Sequence, residues 1–405
     1  MHCRPRSGPA PFRPRRPGGW VSNRSLLGAA AALAAASFVG WLCLRIARSL
    51  VTPIVQRPER TRILDVDDGS VTFRADQDTS APGVYSLYWG NRTGHARIGQ
   101  VISSDNRART VTRRVEKIYS GRLGRDTAGY WSGYVYPTPE GAGLPFEDVQ
   151  LPGPAPAWLI PGTAQRPWVI HVHGLGGRRA TGLRTAPFFQ RLGCTQLLIS
   201  FRGDPDAPPT PDGKHHLGLS ELADVEAALD YAAAHGAGSI IISGWSMGAT
   251  MALAAAHTSG HRDLITGLVL TAPVLDWHRT LFSHTASRRL PTALAMGVLR
   301  ILRGPLHRFA GLAQPLDLRT LDFTAMAPPV PAIILHSVGD ASTPIRISED
   351  YAARFPDLVS LVRFPACRHT QEWNRDPALW ENAVEGWLHH NAGSLSARSG
   401  PRIER

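Results

Sequence analysis

Ser246 lies in Gly244-Trp245-Ser246-Met247-Gly248. Glycines two positions to either side of a serine suit a sharp, strained turn, because no side chains collide across it. A serine hydroxyl becomes a nucleophile only when a base takes its proton, so the chemistry also calls for a histidine and a carboxylate. Asp340, in Val338-Gly339-Asp340-Ala341-Ser342, and His369, in Cys367-Arg368-His369-Thr370, supply them further along the chain. The negative charge that develops on an attacked carbonyl needs preorganised N–H donors. The small-residue turn His173-Gly174-Leu175-Gly176-Gly177 offers one at Leu175, and Met247 offers a second beside the serine. Together these residues describe acyl transfer through a covalent serine intermediate, which requires neither a metal nor an organic cofactor.

Rivals exist for two of these places. Asp276, after Ala272-Pro273-Val274-Leu275, competes with Asp340, and His389 and His390 compete with His369. Those two histidines end a helical pattern, where a cation suits the exposed carbonyls. His171 and His173 stand two apart with no third ligand nearby, which falls short of a metal site. His173 instead reads as a turn residue whose ring supports its loop, and Arg202 as the partner of a carboxylate beneath the site. Cys3, Cys43, Cys194 and Cys367 show no metal-type spacing; a bridge between Cys194 and Cys367 is left open.

The elements that must hold these residues are visible as apolar runs. Strands are expected at 147–151, 157–160, 168–172, 196–201, 239–243, 267–271, 332–336 and 360–364, alternating with helical patterns such as 220–235 and 247–257. This is the texture of a mainly parallel sheet covered by helices. The serine, the acid and the histidine each follow the carboxyl end of a different strand. Residues 277–328 interrupt the alternation with arginine-rich, partly amphipathic sequence and are expected to form a helical lid over the pocket. Residues 63–145 read as shorter β-prone pieces broken by Gly and Asp/Asn turns, at 71–74, 84–89, 97–103, 109–119 and 130–136, in a small antiparallel module. Its Tyr130, Trp131, Tyr134 and Tyr136 are core aromatics or line a cleft.

Residues 146 to about 390 resemble the α/β-hydrolase family, in particular bacterial esterases and serine-peptidase-like hydrolases. The likeness is carried by HVHGLGG at 171–177, SFRGDPDAPPTPDGKHHLG at 200–218, GWSMG at 244–248, HSVGDASTP at 336–344 and CRHT at 367–370. It implies an eight-stranded α/β-hydrolase fold with Ser246 as nucleophile, His369 as general base and then acid, and Asp340 orienting the imidazole. Gly174, Gly244, Gly248, His173 and Arg202 support them. Acids and prolines after Arg202 and Gly203 depart from the commoner glycine- and serine-rich turn, which bears on the pocket rather than the triad. The substrate implied is a small-molecule or lipid-like acyl compound. An aminopeptidase-like peptidase or an acyltransferase fits the same triad, and an anchored, non-catalytic binding scaffold is the reading of another class.

The chain has 405 residues, 43% hydrophobic and 19% charged, enough for a large core, and this excludes a collagen, a disulfide scaffold and a wholly disordered chain. Its net charge of +12 is concentrated: residues 1–62 hold eleven arginines against the single acid Glu59. The remainder is nearly neutral, so no nucleic-acid footprint is expected. Residues 1–24 read as a basic, proline-rich arm without apolar periodicity. Ser25 to Leu44 is an uncharged run which, as a helix, spans about 30 Å, the thickness of a bilayer core. It reads as a single transmembrane anchor of undecided orientation, with a cleaved signal peptide and secretion as the alternative. A linker at 45–62 and a disordered tail at 393–405 complete the plan.

Overall fold

The computed structural model describes residues 23–53, 57–153, 155–391 and 393. The expected basic arm, apart from its last two residues, the expected tail, apart from Gly393, and Cys3 lie outside them.

Helix α1 (Asn23–Val51) is long and apolar enough to cross a membrane. Of the described residues, those through Leu42 belong to one unit, on which Leu33, Phe38, Val39 and Trp41 are exposed, and those from Cys43 onward belong to a second, larger unit. The helix does not end at Leu44, where the linker was expected. It runs to Val51, and Cys43, Ala47 and Val51, spaced four apart on one helical face, are buried in the larger unit.

Six strands follow: β1 (Thr61–Asp67), β2 (Ser70–Arg74), β3 (Tyr85–Trp89), β4 (Gly94–Asp105), β5 (Thr110–Ser120) and β6 (Ala128–Ser132). They close into an antiparallel barrel in the order β1-β2-β5-β4-β3-β6. Irregular register along the long β4–β5 pair bends those strands and helps the sheet close on itself. Ile63, Val71, Phe73, Leu87, Ala96, Ile98 and Val111 fill the interior. Strand β1 was not foreseen, because Asp65, Asp67 and Asp68 blur its alternation; only Ile63 is buried along it. Arg113 on β5 is wholly buried, and donates to the carbonyls of Thr79, Ala81, Gly83 and Gly99 at 2.6–2.9 Å. Burial lowers its pKa to about 10, and the rings of Tyr85 and Trp131 lie 5.5 and 5.3 Å away. This one side chain fastens the loop between β2 and β3.

The second sheet comprises β7 (Glu147–Gln150), β8 (Pro156–Ile160), β9 (Trp168–Val172), β10 (Thr195–Ile199), β11 (Ile240–Trp245), β12 (Ile265–Thr271), β13 (Ala332–Ser337) and β14 (Val359–Phe364). Their order is β14-β13-β12-β11-β9-β10-β8-β7. Strand β8 runs antiparallel to both of its neighbours and the other pairs are parallel. Helices α2 (Ala186–Arg191), α3 (Leu222–Ala234), α4 (Met247–Thr258), α7 (Ile345–Arg354), α8 (Glu372–Arg375) and α9 (Pro377–His390) cover it. Every residue of β11 and β12 is buried, as expected for parallel strands covered on both faces. Because β9 lies beside β11, with Val172 paired to Gly244, the turn after β9 falls next to the turn after β11. The loops after β13 and β14 open on the same edge.

Helices α5 (Trp277–Ser287) and α6 (Thr292–Arg303) occupy the segment expected to be a lid. They receive the end of α1: the Cys43 thiol donates to the Leu294 carbonyl (3.7 Å) and packs on Gly297, and Arg48 donates to the Phe309 carbonyl (2.7 Å). Val51 accepts from the His215 N–H at 2.8 Å.

Candidate active site

Ser246 stands between β11 and α4 with φ 54° and ψ −115°, a backbone conformation costly for any residue with a side chain. The turn tolerates no bulk around it. A Cβ on Gly244 would meet the Gly248 carbonyl at 2.6 Å, one on Gly248 would run into the Val172 carbonyl, and one on Gly174 would come within 2.9 Å of the Ser246 Cβ. The three glycines are therefore required by backbone packing, and the serine is the residue left facing out of the turn.

The His369 ring bridges the serine and the acid. Its Nε2 lies 2.8 Å from Ser246 Oγ and its Nδ1 2.6 Å from Asp340 Oδ2. With the proton on Nδ1, the ring donates to the carboxylate and accepts from the hydroxyl. Asp340 is held by more than the imidazole: Oδ1 accepts from the N–H groups of Ser342 (2.7 Å) and Thr343 (3.0 Å), and Oδ2 from the Thr343 hydroxyl (2.9 Å). Burial alone would raise its pKa, but His336 and His369 override that and hold the carboxyl far below the usual range. His336, whose Nε2 donates to the Thr343 carbonyl (2.9 Å), braces this loop from below. Asp276 is elsewhere engaged: it caps α5 by accepting from the His278 N–H at 2.7 Å. His389 and His390 close α9.

Leu175 and Met247 flank the serine, and among the described residues neither N–H has an acceptor, whereas the Gly177 N–H turns back to the Gly174 carbonyl at 2.9 Å. The turn is anchored through His173, whose Nε2 lies 2.7 Å from Asp204 Oδ2 and whose ring stacks 4.0 Å from Phe201. Burial pulls that imidazole down in pKa, but Asp204 outweighs burial and leaves it raised. His171 bonds Gln196 (3.0 Å). Arg202 forks onto Asp224 at 2.7 and 3.1 Å, outside the cleft. Cys194 and Cys367 are both free and buried.

Ser246 and His369 open into a cleft of about 470 Å³. Its far wall comes from the barrel, through Gln77, Trp131, Ser132, Gly133 and Tyr134; residues 277–328 supply none of its described lining. The barrel thus occupies the place at this cleft that the lid was expected to take, while α5 and α6 are engaged with the end of α1. Two residues that tie the cleft wall to the barrel escaped sequence reasoning. Arg184 is buried in the cleft wall, donates to the Thr370 carbonyl (2.6 Å) and to Asn374 Oδ1 (2.9 Å), and is lowered in pKa by burial. Asn374 in turn donates to the carbonyls of Val84 (2.8 Å) and Gly133 (3.0 Å) in the barrel chain. Neither sits in a recognisable motif, and their partners are distant in sequence.

Residues 169–394, more than half of the chain, match the family model described as the alpha/beta hydrolase family. The chain belongs to this family. Residues 62–132, nearly the whole barrel, match a second model, described as a domain of unknown function (DUF8805). Similar solved structures include an esterase of Pyrococcus furiosus, at 17% identity and TM-score 0.47, covering 62% of this chain and 94% of that one. A proline iminopeptidase-related protein of Thermus thermophilus shares 18% identity at TM-score 0.46, with 63% and 99% covered. A thermophilic esterase of Thermogutta terrifontis shares 18% at TM-score 0.42, with 61% and 98% covered. No curated protein matches the chain.

Proposed function

We propose that this α/β hydrolase is a membrane-anchored serine hydrolase that cleaves a carboxylic ester or related acyl bond. The observation that carries the reading is the continuous hydrogen-bonded line from Ser246 through His369 to Asp340, at 2.8 and 2.6 Å, in a turn strained to present the hydroxyl. Ser246 Oγ attacks the acyl carbonyl as His369 Nε2 takes its proton, and Asp340 stabilises the imidazolium that results. The oxyanion is received by the Leu175 and Met247 N–H groups. His369 returns the proton to the departing alcohol, leaving an acyl-serine. Water, deprotonated by the same ring, then releases the acid and restores the hydroxyl. Among the described residues the cleft lining holds no Asp or Glu to receive a substrate's free amino group, which favours an esterase over an aminopeptidase.

The full-length protein treated with a fluorophosphonate that traps activated serines should be labelled, and its Ser246→Ala variant should not. Absence of label on the folded wild type would overturn the mechanism and leave the non-catalytic scaffold. The anchor has its own test. With α1 as a membrane span, the protein stays in the pellet after alkaline carbonate extraction, and a chain starting at Thr52 does not; recovery of the full chain in the supernatant would reject the anchor.

A further inference from the structure

Beyond Gly176 and Gly177 the cleft continues into a second cavity of about 390 Å³, and Arg57, Tyr134, Gly176 and Gly177 line both. Three arginines converge there: Arg57 from the segment after α1, Arg92 from the β3–β4 turn, and Arg178 from the end of the turn that carries Leu175. Among the described residues none of the three is in an ion pair. Glu59 and Asp204 line the same cavity and Asp206 lies near Arg178, and each of the three already has partners. Asp204 serves His173 (2.7 Å) and the Phe201 N–H (3.0 Å), Glu59 accepts from the Asn91 N–H (2.9 Å), and Asp206 pairs with Arg179 (2.9 Å).

Arg92 is positioned by the barrel. Its φ is +74°, in the left-handed region where glycine or asparagine sits without penalty and arginine does not. Its guanidinium lies over the Tyr88 ring, 5.3 Å from the centroid, a cation–π contact with β3 that fixes where its charge sits. Burial, with Arg92 close by, lowers the pKa of Arg178, as expected for two like charges facing one cavity.

We infer that Arg57, Arg92 and Arg178 form a subsite for an anionic group, a carboxylate or a phosphate, that the acyl substrate carries away from its scissile carbonyl. This rests on the hydrolase reading and narrows its substrate to acidic acyl compounds. Guanidinium groups bind both anions through charge-assisted, often bidentate hydrogen bonds, so the class is the anion itself, whether on a soluble acid or on a lipid headgroup.

The test uses the full-length protein in detergent and two readouts. In the Ser246→Ala background, where turnover plays no part, glutarate or inorganic phosphate should raise the melting temperature by about 2–4 °C at saturation, and Arg92→Asn and Arg178→Gln should abolish that rise. In the wild type, nitrophenyl esters bearing a terminal carboxylate should exceed neutral esters of equal length by roughly ten-fold or more in kcat/KM, and each variant should erode that ratio. Arg92→Asn should melt no lower than its parent, which a purely structural arginine would not allow. Equal kcat/KM for both ester types, with no anion-induced stabilisation, would overturn the subsite while leaving the hydrolase intact. Stabilisation without any Ser246-dependent turnover would keep the subsite and remove the hydrolase. Vesicles of phosphatidylglycerol against phosphatidylcholine separate the two sources: preference among vesicles alone assigns a headgroup, and preference among soluble esters assigns a free acid.

Discussion

At the scale of single residues, the site is a balance between strain and function. Ser246 occupies φ 54°, ψ −115°, which glycine adopts freely and serine does not. Ser246→Gly should therefore abolish fluorophosphonate labelling while leaving the protein as stable as before, or more stable by about 1 kcal/mol after allowing for the freer unfolded chain. Thermal melts of the two proteins check it, and a clear loss of stability would show that the turn is not strained. Asp340 illustrates the opposite case, a residue whose every bond suits its charge. Asp340→Asn keeps the shape but leaves an amide where two backbone N–H groups, a hydroxyl and an imidazole all meet a carboxylate, so the histidine loses its fixed tautomer. The rate of acylation should fall by about 10³–10⁴-fold, measured as the rate of probe labelling or nitrophenol release.

At the scale of elements, the short helix α8 does more than its four residues suggest. It follows the His369 loop, and its Asn374 joins that loop to the barrel. The Asn374 amide donates to the Val84 and Gly133 carbonyls, its side-chain oxygen accepts from Arg184, and its carbonyl accepts from the Val84 N–H at 2.9 Å. Asn374→Ala would strand two buried carbonyls and take one of its acceptors from the buried Arg184 guanidinium, at a cost of about 2–4 kcal/mol. Urea unfolding should show that loss, together with faster proteolysis at the seam between barrel and sheet. An unchanged midpoint would mean that the Val84 N–H bond and the apolar contacts of Val84 and Val135 with the sheet core suffice.

At the scale of the whole molecule, pH dependence is set by charges buried beneath the site. Glu372, with none of its surface exposed, accepts from the Ser337 N–H at 3.1 Å through Oε1, and Oε2 has no partner among the described residues. Burial raises its pKa to about 7, with His336 opposing and Asp340 adding to the shift. A carboxyl raised above its unfolded value of 4.5 favours the folded state fully below that pH, and the benefit is lost as pH climbs through about 7. Asp340 works the other way: its depressed pKa stabilises the fold above the ordinary aspartate range, and that benefit is lost as pH falls through its folded value. Glu372→Gln should therefore gain stability relative to the wild type between pH 5 and pH 8, by up to about 3 kcal/mol. Unfolding free energies at both pH values decide it; an equal difference at each would mean that Glu372 does not titrate in this window.

The local signals were legible because they act over a few residues. The turn around Ser246 is dictated by steric contacts between neighbours, so Gly244 and Gly248 reveal it in a five-residue window. The parallel strands announce themselves as apolar runs because both of their faces are covered, and the acid and the histidine could be sought at strand ends. Which strand ends share an edge, and which of Asp276 and Asp340 meets His369, depended on a sheet order that places β9 beside β11 and β14 beside β13. The closed barrel was not legible, since β1 pairs with β6 across more than fifty residues and its own alternation is broken by acids. Nor was the wall of the cleft: Asn374 reaches Gly133 over 241 positions and Val84 over 290, and nothing in a local window encodes such a contact. The sequence by itself determined the sharp turn that presents Ser246, the kinds of residue that meet it and the strands that carry them, because steric and burial constraints act between near neighbours. Tertiary structure alone decided what faces the serine across the cleft, because that depends on which distant surfaces bury one another.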